Sequence, residues 1–162
     1  MERKKQVKDL CISAAVAALY VIMTYISAIF GLSGGVIQLR LSEALCVLPL
    51  FCAGAVPGLF VGCIISNVLF GGVLIDVIFG SLATLLGAVG TYLIGKKHRY
   101  AALIPPVLAN TLIVPFVIVY AYGAEQALWF IMLTVGIGEV LSCGVLGALL
   151  YRFFARIDFL FK

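Results

Sequence analysis

The sequence predicts an all-α membrane protein with six transmembrane helices. Of its 162 residues, 64% are hydrophobic and 11% are charged, and the mean hydropathy is +1.23. Soluble domains carry about 25% charged residues, so 11 basic and 7 acidic side chains cannot cover a soluble fold of this length. Because a spanning helix needs about 20 apolar residues, the chain has room for roughly six or seven crossings. This composition excludes soluble enzymes, nucleic-acid-binding modules and disordered chains.

Glycine-rich breaks and basic clusters separate the apolar segments in order along the chain. The first segment follows a basic head and is longer than the roughly 7–15-residue core of a signal peptide, so we expect it to remain in the membrane. Gly34-Gly35 ends it, the segment from Ala53 to Gly58 interrupts the next apolar stretch, and Gly71-Gly72 closes that stretch. We predict one integral membrane domain over residues 1–162, with spans at 10–30, 41–55, 58–70, 77–95, 101–122 and 127–154.

Basic side chains determine how often the stretch 41–70 crosses the membrane. Lys and Arg collect in cytoplasmic loops, and here they cluster at the N-terminus, at Lys96 to Arg99, and from Arg152 to Lys162. If all three clusters are cytoplasmic, four crossings separate the first two, and the stretch 41–70 must cross twice. Both termini are then cytoplasmic, and only Arg40 is left on the outer side.

A small set of polar side chains lies at membrane depth, where such groups are costly and usually mark a functional site. Under this topology they come from five separate segments and fall in the outer half of the bundle. The sequence therefore predicts a substrate-binding cavity that opens to the outside. The candidate residues are Gln38, Arg40, Glu43, Asn67, Asp76, Asn110 and Glu139.

Several of these residues also have a structural interpretation. Arg40 and Glu43 are three apart on one helix face and can form an ion pair. Asn67 and Asn110 can bond neighbouring helices. Asp76 is expected in the loop before the fourth span, where it can be an ordinary surface acid.

Glu139 is harder to explain structurally. Its own span offers no basic partner before the cytoplasmic end, and Gly136-Ile137-Gly138 leaves space beside it. Trp129, Tyr120 and Tyr122 lie where an interfacial aromatic belt is expected, with a place in the cavity wall as the alternative.

The first span carries a ridge of small residues. Ala14 and Ala18 form a small-xxx-small pattern, with Ser13 and Ala17 as a second ridge beside it. Such ridges let helix backbones approach closely in lipid. They indicate either packing within the bundle or a docking face for another membrane subunit.

The sequence lacks the usual chemical motifs of an enzyme. It has no phosphate-binding loop, no cluster with metal-ligand spacing, and no nucleophile with a base partner at depth. The five cysteines fall in apolar segments and are interpreted as small buried hydrophobic residues. We therefore predict no catalytic residues, metal or cofactor, and a binding subunit that depends on another protein's ATPase.

The segment Gln38-Leu-Arg40-Leu-Ser42-Glu43-Ala-Leu resembles the QueT family. These proteins are the substrate-binding (S) components of energy-coupling factor (ECF) transporters for queuosine precursors. The resemblance continues through residues 58–67, 76–87, 106–110 and 136–139, and it covers nearly the whole chain.

The resemblance implies the six-helix S-component fold in a bacterial plasma membrane. It implies as partners a transmembrane coupling protein, which would contact Ala14 and Ala18, and two cytoplasmic ATPases. The expected ligand is a 7-deazaguanine: preQ0, preQ1 or queuine. The alternatives are an S component for another small heterocycle or vitamin, a small intramembrane enzyme, and a purely structural subunit.

A guanine-like edge carries an N–H group and an amine side by side. One carboxylate can accept hydrogen bonds from both donors at once. Glu139 is the first choice for that edge, with Glu43 or Asp76 as the alternative, and Arg40 is expected to hold a neighbouring carboxylate ionised. The remaining expected contacts are the amides of Gln38, Asn67 and Asn110 to the ring and stacking by Trp129.

Overall fold

The structure, a computed structural model, describes residues 2–32, 37–99 and 101–156. Every regular element in these ranges is helical and none is a β-strand, so the predicted all-α class is confirmed. The helices are α1 (Glu2–Ile29), a 3₁₀ helix (Leu41–Leu50), α2 (Ala55–Leu69), α3 (Leu74–Gly95), α4 (Ile104–Tyr122), α5 (Leu128–Glu139) and α6 (Gly147–Arg156). A 3₁₀ turn (Ala101–Leu103) precedes α4, and a π-helix (Val140–Leu146) joins α5 to α6.

Four helical segments in the described part of the chain are long and apolar enough to cross a membrane. They are Glu2–Ile29, Leu74–Gly95, Ala101–Tyr122 and Leu128–Arg156. The predicted division of the stretch 41–70 is also present, since this stretch forms two shorter apolar helices, Leu41–Leu50 and Ala55–Leu69.

Two details of the predicted boundaries are wrong. Asp76 is not in a loop but in the first turn of α3, which begins at Leu74. A carboxylate is favoured there by the positive end of the helix dipole. The predicted interruption from Ala53 to Gly58 ends too late, because α2 already begins at Ala55 and carries Pro57 in its first turn, where the missing N–H breaks no hydrogen bond. The predicted loop residues Gly34-Gly35 and the basic residue Lys162 lie outside the described residues.

The 3₁₀ helix is the centre of the bundle. Its residues from 42 to 49 are all buried, and it packs against α1, α3, α6 and the π-helix. The main core forms around it, and Cys46, Cys63 and Cys143 lie in that core as free thiols. These three cysteines therefore act as the small buried hydrophobic residues that the sequence predicts.

The two small-residue ridges of α1 have different environments. Gly58 of α2 packs on the ridge of Ser13 and Ala17, because a Cβ on Gly58 would lie only 2.7 Å from the carbonyl oxygen of Ser13. Ala17, on the same ridge as Ser13, is buried. Ala14 and Ala18 are exposed. One ridge is therefore used within the bundle, and the other is left on the surface.

Candidate functional site

A cavity of about 450 Å³ lies between α1, the segment before the 3₁₀ helix, the α2–α3 connection and α4. Its size is within the range of about 300–1,000 Å³ that is usual for small-molecule pockets. Four of the predicted site residues line it: Gln38, Arg40, Asn67 and Asp76. The rest of the wall consists of Thr24, Ala28, Ser66, Phe70, Gly71, Gly72, Val114, Ile118 and Tyr122.

The carboxylate of Asp76 is held in place by its neighbours. The Tyr122 hydroxyl donates a hydrogen bond to Oδ2 at 2.8 Å, and the Asn67 amide donates to the backbone carbonyl of Asp76 at 3.3 Å. A Cβ on Gly80 would lie 2.9 Å from Oδ1, so the glycine leaves room for this carboxylate. Asp76 is 6% exposed. The cavity wall therefore carries an acidic group of fixed orientation.

Arg40 supplies the positive charge of the cavity. It lies in the extended segment before the 3₁₀ helix, outside the spanning helices. Burial acts to lower the pKa of its guanidinium, but the negative charge of Asp76 acts against this, and the net direction of the pKa is upward. The cavity thus combines a permanent guanidinium with a carboxylate.

Glu43 and Asn110 meet in a separate buried cluster. The Tyr20 hydroxyl donates a hydrogen bond to Oε1 of Glu43, and the Asn110 amide donates to Oε2 at 3.2 Å. The oxygens of Glu43 are therefore bonded to Tyr20 and Asn110, and not to Arg40 as the ion-pair interpretation expected. Asn110 does join two helical elements, as its structural interpretation expected.

This cluster lies one helical turn deeper than the cavity. Tyr20 precedes the cavity residue Thr24 by one turn of α1, and Asn110 precedes the cavity residue Val114 by one turn of α4. One turn corresponds to about 5.4 Å along each axis. The predicted site residues therefore form two layers, of which the outer one borders the open cavity.

Glu139 ends α5 and is 6% exposed. Its Oε2 has no hydrogen-bond partner within the described part of the chain. Such a group is unusual, because an unpartnered buried polar atom costs about 1–3 kcal/mol or more. The space predicted beside Glu139 is filled by backbone, since a Cβ on Gly138 would collide with the carbonyl oxygen of Gln38. Glu139 therefore lies next to the chain segment that carries Gln38 and Arg40.

Trp129 is not brought to these polar residues. It lies in the first turn of α5, is 69% exposed, and packs edge-on against the neighbouring Phe130. This position is that of an interfacial aromatic belt. Tyr122, for which the belt was also the first interpretation, lines the cavity and bonds Asp76.

Tyr20 contacts the candidate site residue Glu43, and the sequence did not predict this contact. A tyrosine in the middle of a membrane helix needs a hydrogen-bond partner for its hydroxyl. That requirement was the available signal, and Glu43 is the partner.

Membrane-length helices around a polar cavity of small-molecule size define the class of a multi-pass membrane protein. Within residues 2–32, 37–99 and 101–156, no group of His, Cys, Asp or Glu side chains is arranged to hold a metal ion. The family model of the QueT transporter matches residues 10–156, and the chain belongs to this family. The prediction of a multi-pass membrane transport protein, and not an enzyme, is thereby confirmed.

A curated relative agrees with this family. The Queuosine precursor transporter QueT of Lactococcus lactis subsp. cremoris (strain MG1363) is 39% identical over 84 residues, which is 52% of this chain and 49% of the relative. The match thus spans about half the length of that relative. No solved structure matches the chain.

Proposed function

We propose that this chain is the substrate-binding component of an importer for a queuosine precursor, a 7-deazaguanine such as preQ0, preQ1 or queuine. The observation that carries the proposal is one cavity that combines a guanidinium, a carboxylate and two amides: Arg40, Asp76, Gln38 and Asn67. Family membership and the name of the relative, a queuosine precursor transporter, support the same substrate class.

The chemistry of the cavity is complementary to a 7-deazaguanine. One edge of this base presents two adjacent N–H donors beside a carbonyl acceptor. A carboxylate can accept hydrogen bonds from both donors, while a guanidinium or an amide can donate a hydrogen bond to the carbonyl. Asp76 and Arg40 supply these groups, and Phe70 and Tyr122 are aromatic walls for the ring. Glu139 is the alternative carboxylate, because its Oε2 has no partner in the described residues.

Titration of the purified protein with queuine, preQ1, guanine, thiamine and riboflavin tests the substrate class. We expect binding heat with a deazaguanine, weaker binding of guanine, and none with the two vitamins. Tight binding of a vitamin and no heat with any deazaguanine would overturn the substrate assignment in favour of another heterocycle.

We also infer six crossings, with both termini in the cytoplasm of a bacterial cell. The basic clusters support this topology, because four crossings separate the first two if each is cytoplasmic. The proposed partners are the coupling protein and two ATPases of an ECF module. The support for docking is a groove of about 630 Å³ between α1 and α2, which is lined by Ser13, Ala14, Ala17, Gly54 and Gly58 among others.

Substitution of Ala14 or Ala18 by Trp tests this docking face. Both residues are exposed, so a Trp at either position obstructs a partner helix without entering the bundle. We expect cells that express the full transporter to lose uptake, while the purified variants bind the deazaguanine with unchanged affinity. Leu19→Trp is the matched control, because Leu19 is exposed on the same helix and is neither three nor four residues from Ala14 or Ala18. Equal loss of binding and uptake would instead assign Ala14 and Ala18 to packing within the bundle.

A further inference from the structure

A second cavity lies at the other end of the bundle and consists of two adjacent parts that share lining residues. The first, of about 230 Å³, is bordered by Lys96 and Arg99. The second, of about 440 Å³, lies where α4 faces the π-helix and α6, and is bordered by Arg99 and Arg152. Both parts are lined by Leu50, Arg99 and Tyr151, so they are neighbours. The candidate substrate cavity contacts α4 near its end, whereas this one contacts α4 at its start.

The first part is a cationic compartment. Lys96 and Arg99 come from the connection after α3, and Arg152 of α6 lines the adjoining second part. The Arg99 guanidinium donates a hydrogen bond to the Tyr151 hydroxyl at 3.3 Å, which holds it at the junction of the two parts. Among the described residues that line either part, none is acidic. The positive charges of Lys96, Arg99 and Arg152 favour an anionic group here.

The second part is an apolar groove. Its walls are aliphatic side chains of α4 on one side and Val140, Gly144 and Ala148 on the other. These three residues are four apart and share one side of the helix, and the two small ones leave the groove open. Ile104, Leu108 and Val140 are 54%, 53% and 51% exposed, so the groove faces the surroundings of the bundle, where lipid chains lie.

We propose that this cavity binds an anionic phospholipid from the leaflet on the basic side of the protein. The phosphate lies at Lys96, Arg99 and Arg152, and one acyl chain fills the groove between α4 and the π-helix. Arginine donates strong, charge-assisted hydrogen bonds to phosphate oxygens, and basic pockets between membrane helices select anionic head groups. The apolar groove favours a lipid over a free phosphate, because a free phosphate has no acyl chain to fill the groove.

Native mass spectrometry of the detergent-purified protein tests the head-group site. The probe is an equimolar mixture of dioleoylphosphatidylglycerol and dioleoylphosphatidylcholine. We expect preferential retention of phosphatidylglycerol, and a loss of that preference by about fivefold in Arg152→Gln, since one basic charge near the surface has about that effect. The matched control is Arg156→Gln, which removes a charge of the same helix that does not line either part. Equal retention of the two lipids by the unchanged protein, or an equal loss in both variants, would overturn the proposal.

Two further arms test the acyl groove. Ala148→Trp fills the groove and keeps every charge, so it is expected to reduce phosphatidylglycerol retention as well. Leu149→Trp is its control, because Leu149 is exposed but does not line the groove. Excess inorganic phosphate is expected to leave retention unchanged, and displacement of the lipid by phosphate would overturn a lipid as the occupant. Gel filtration identifies a misfolded Trp variant, in which case the arginine pair alone decides the result.

Discussion

Replacement of Asp76 by Asn is expected to weaken binding of a 7-deazaguanine by about 1.5–3 kcal/mol, which corresponds to a roughly 10- to 150-fold rise in Kd. The substitution keeps the shape of the side chain but turns one acceptor oxygen into a donor. That donor then faces either the paired donors of the ligand or the Tyr122 hydroxyl, which bonds Oδ2 in the unchanged protein. Calorimetric titration of the purified variant with preQ1 or queuine measures the effect.

Two companion variants make this result specific. Glu125→Gln removes an exposed carboxylate from the α4–α5 connection at the same end of the molecule, and it is expected to bind normally. Glu139→Gln tests the alternative carboxylate. A large loss of affinity in Glu139→Gln together with normal binding by Asp76→Asn would place the ligand at Glu139 and contradict the role of Asp76.

Gly138→Ala is expected to disturb the site without removing any polar group. The added Cβ collides with the carbonyl oxygen of Gln38, so either α5 or the segment before the 3₁₀ helix must move. Overpacking of this kind costs about 1–3 kcal/mol. Because Gln38 and Arg40 lie on that segment and line the cavity, both the Tm and the ligand affinity should fall. Thermal unfolding in detergent and titration of the same preparation measure the two effects.

Gly144→Ala is the matched control for this prediction. An added Cβ there meets only Val140 Cγ1, at 3.7 Å, which is an ordinary contact. Removing a glycine from a helix interior is favourable by roughly 0.5–1 kcal/mol, so this variant should be as stable as the unchanged protein or more so. Unchanged Tm and affinity in Gly138→Ala would mean that α5 and the segment at Gln38 separate at no cost.

The fold class could be predicted because the chain has few charged residues and their positions limit where membrane spans can begin and end. Eighteen charges, 11 basic and 7 acidic, exclude a soluble surface and mark the ends of apolar segments. The 3₁₀ and π segments could not be predicted in the same way. Their residues are as apolar as those of α-helices, and the choice between the forms depends on how the segments pack in the bundle.

The sequence could supply candidate residues for the site, but it could not supply their contacts with one another. Position along the predicted spans grouped Gln38, Arg40, Asn67 and Asp76 on the outer side, and these four residues line one cavity in the structure. Depth alone does not determine which face of a helix a side chain occupies. For that reason the bond between Tyr20 and Glu43 and the surface position of Trp129 required the structure.

The central 3₁₀ helix also acts as a spacer between the two ends of the molecule. It begins next to Arg40 in the candidate substrate cavity, and it ends at Leu50, which lines the basic cavity. A 3₁₀ helix rises about 2.0 Å per residue, so these residues reach about 20 Å, whereas an α-helix would need about 13 residues for the same distance. Rewinding this segment as an α-helix would shorten it by about 5 Å. Its two ends could then no longer lie in both cavities at once.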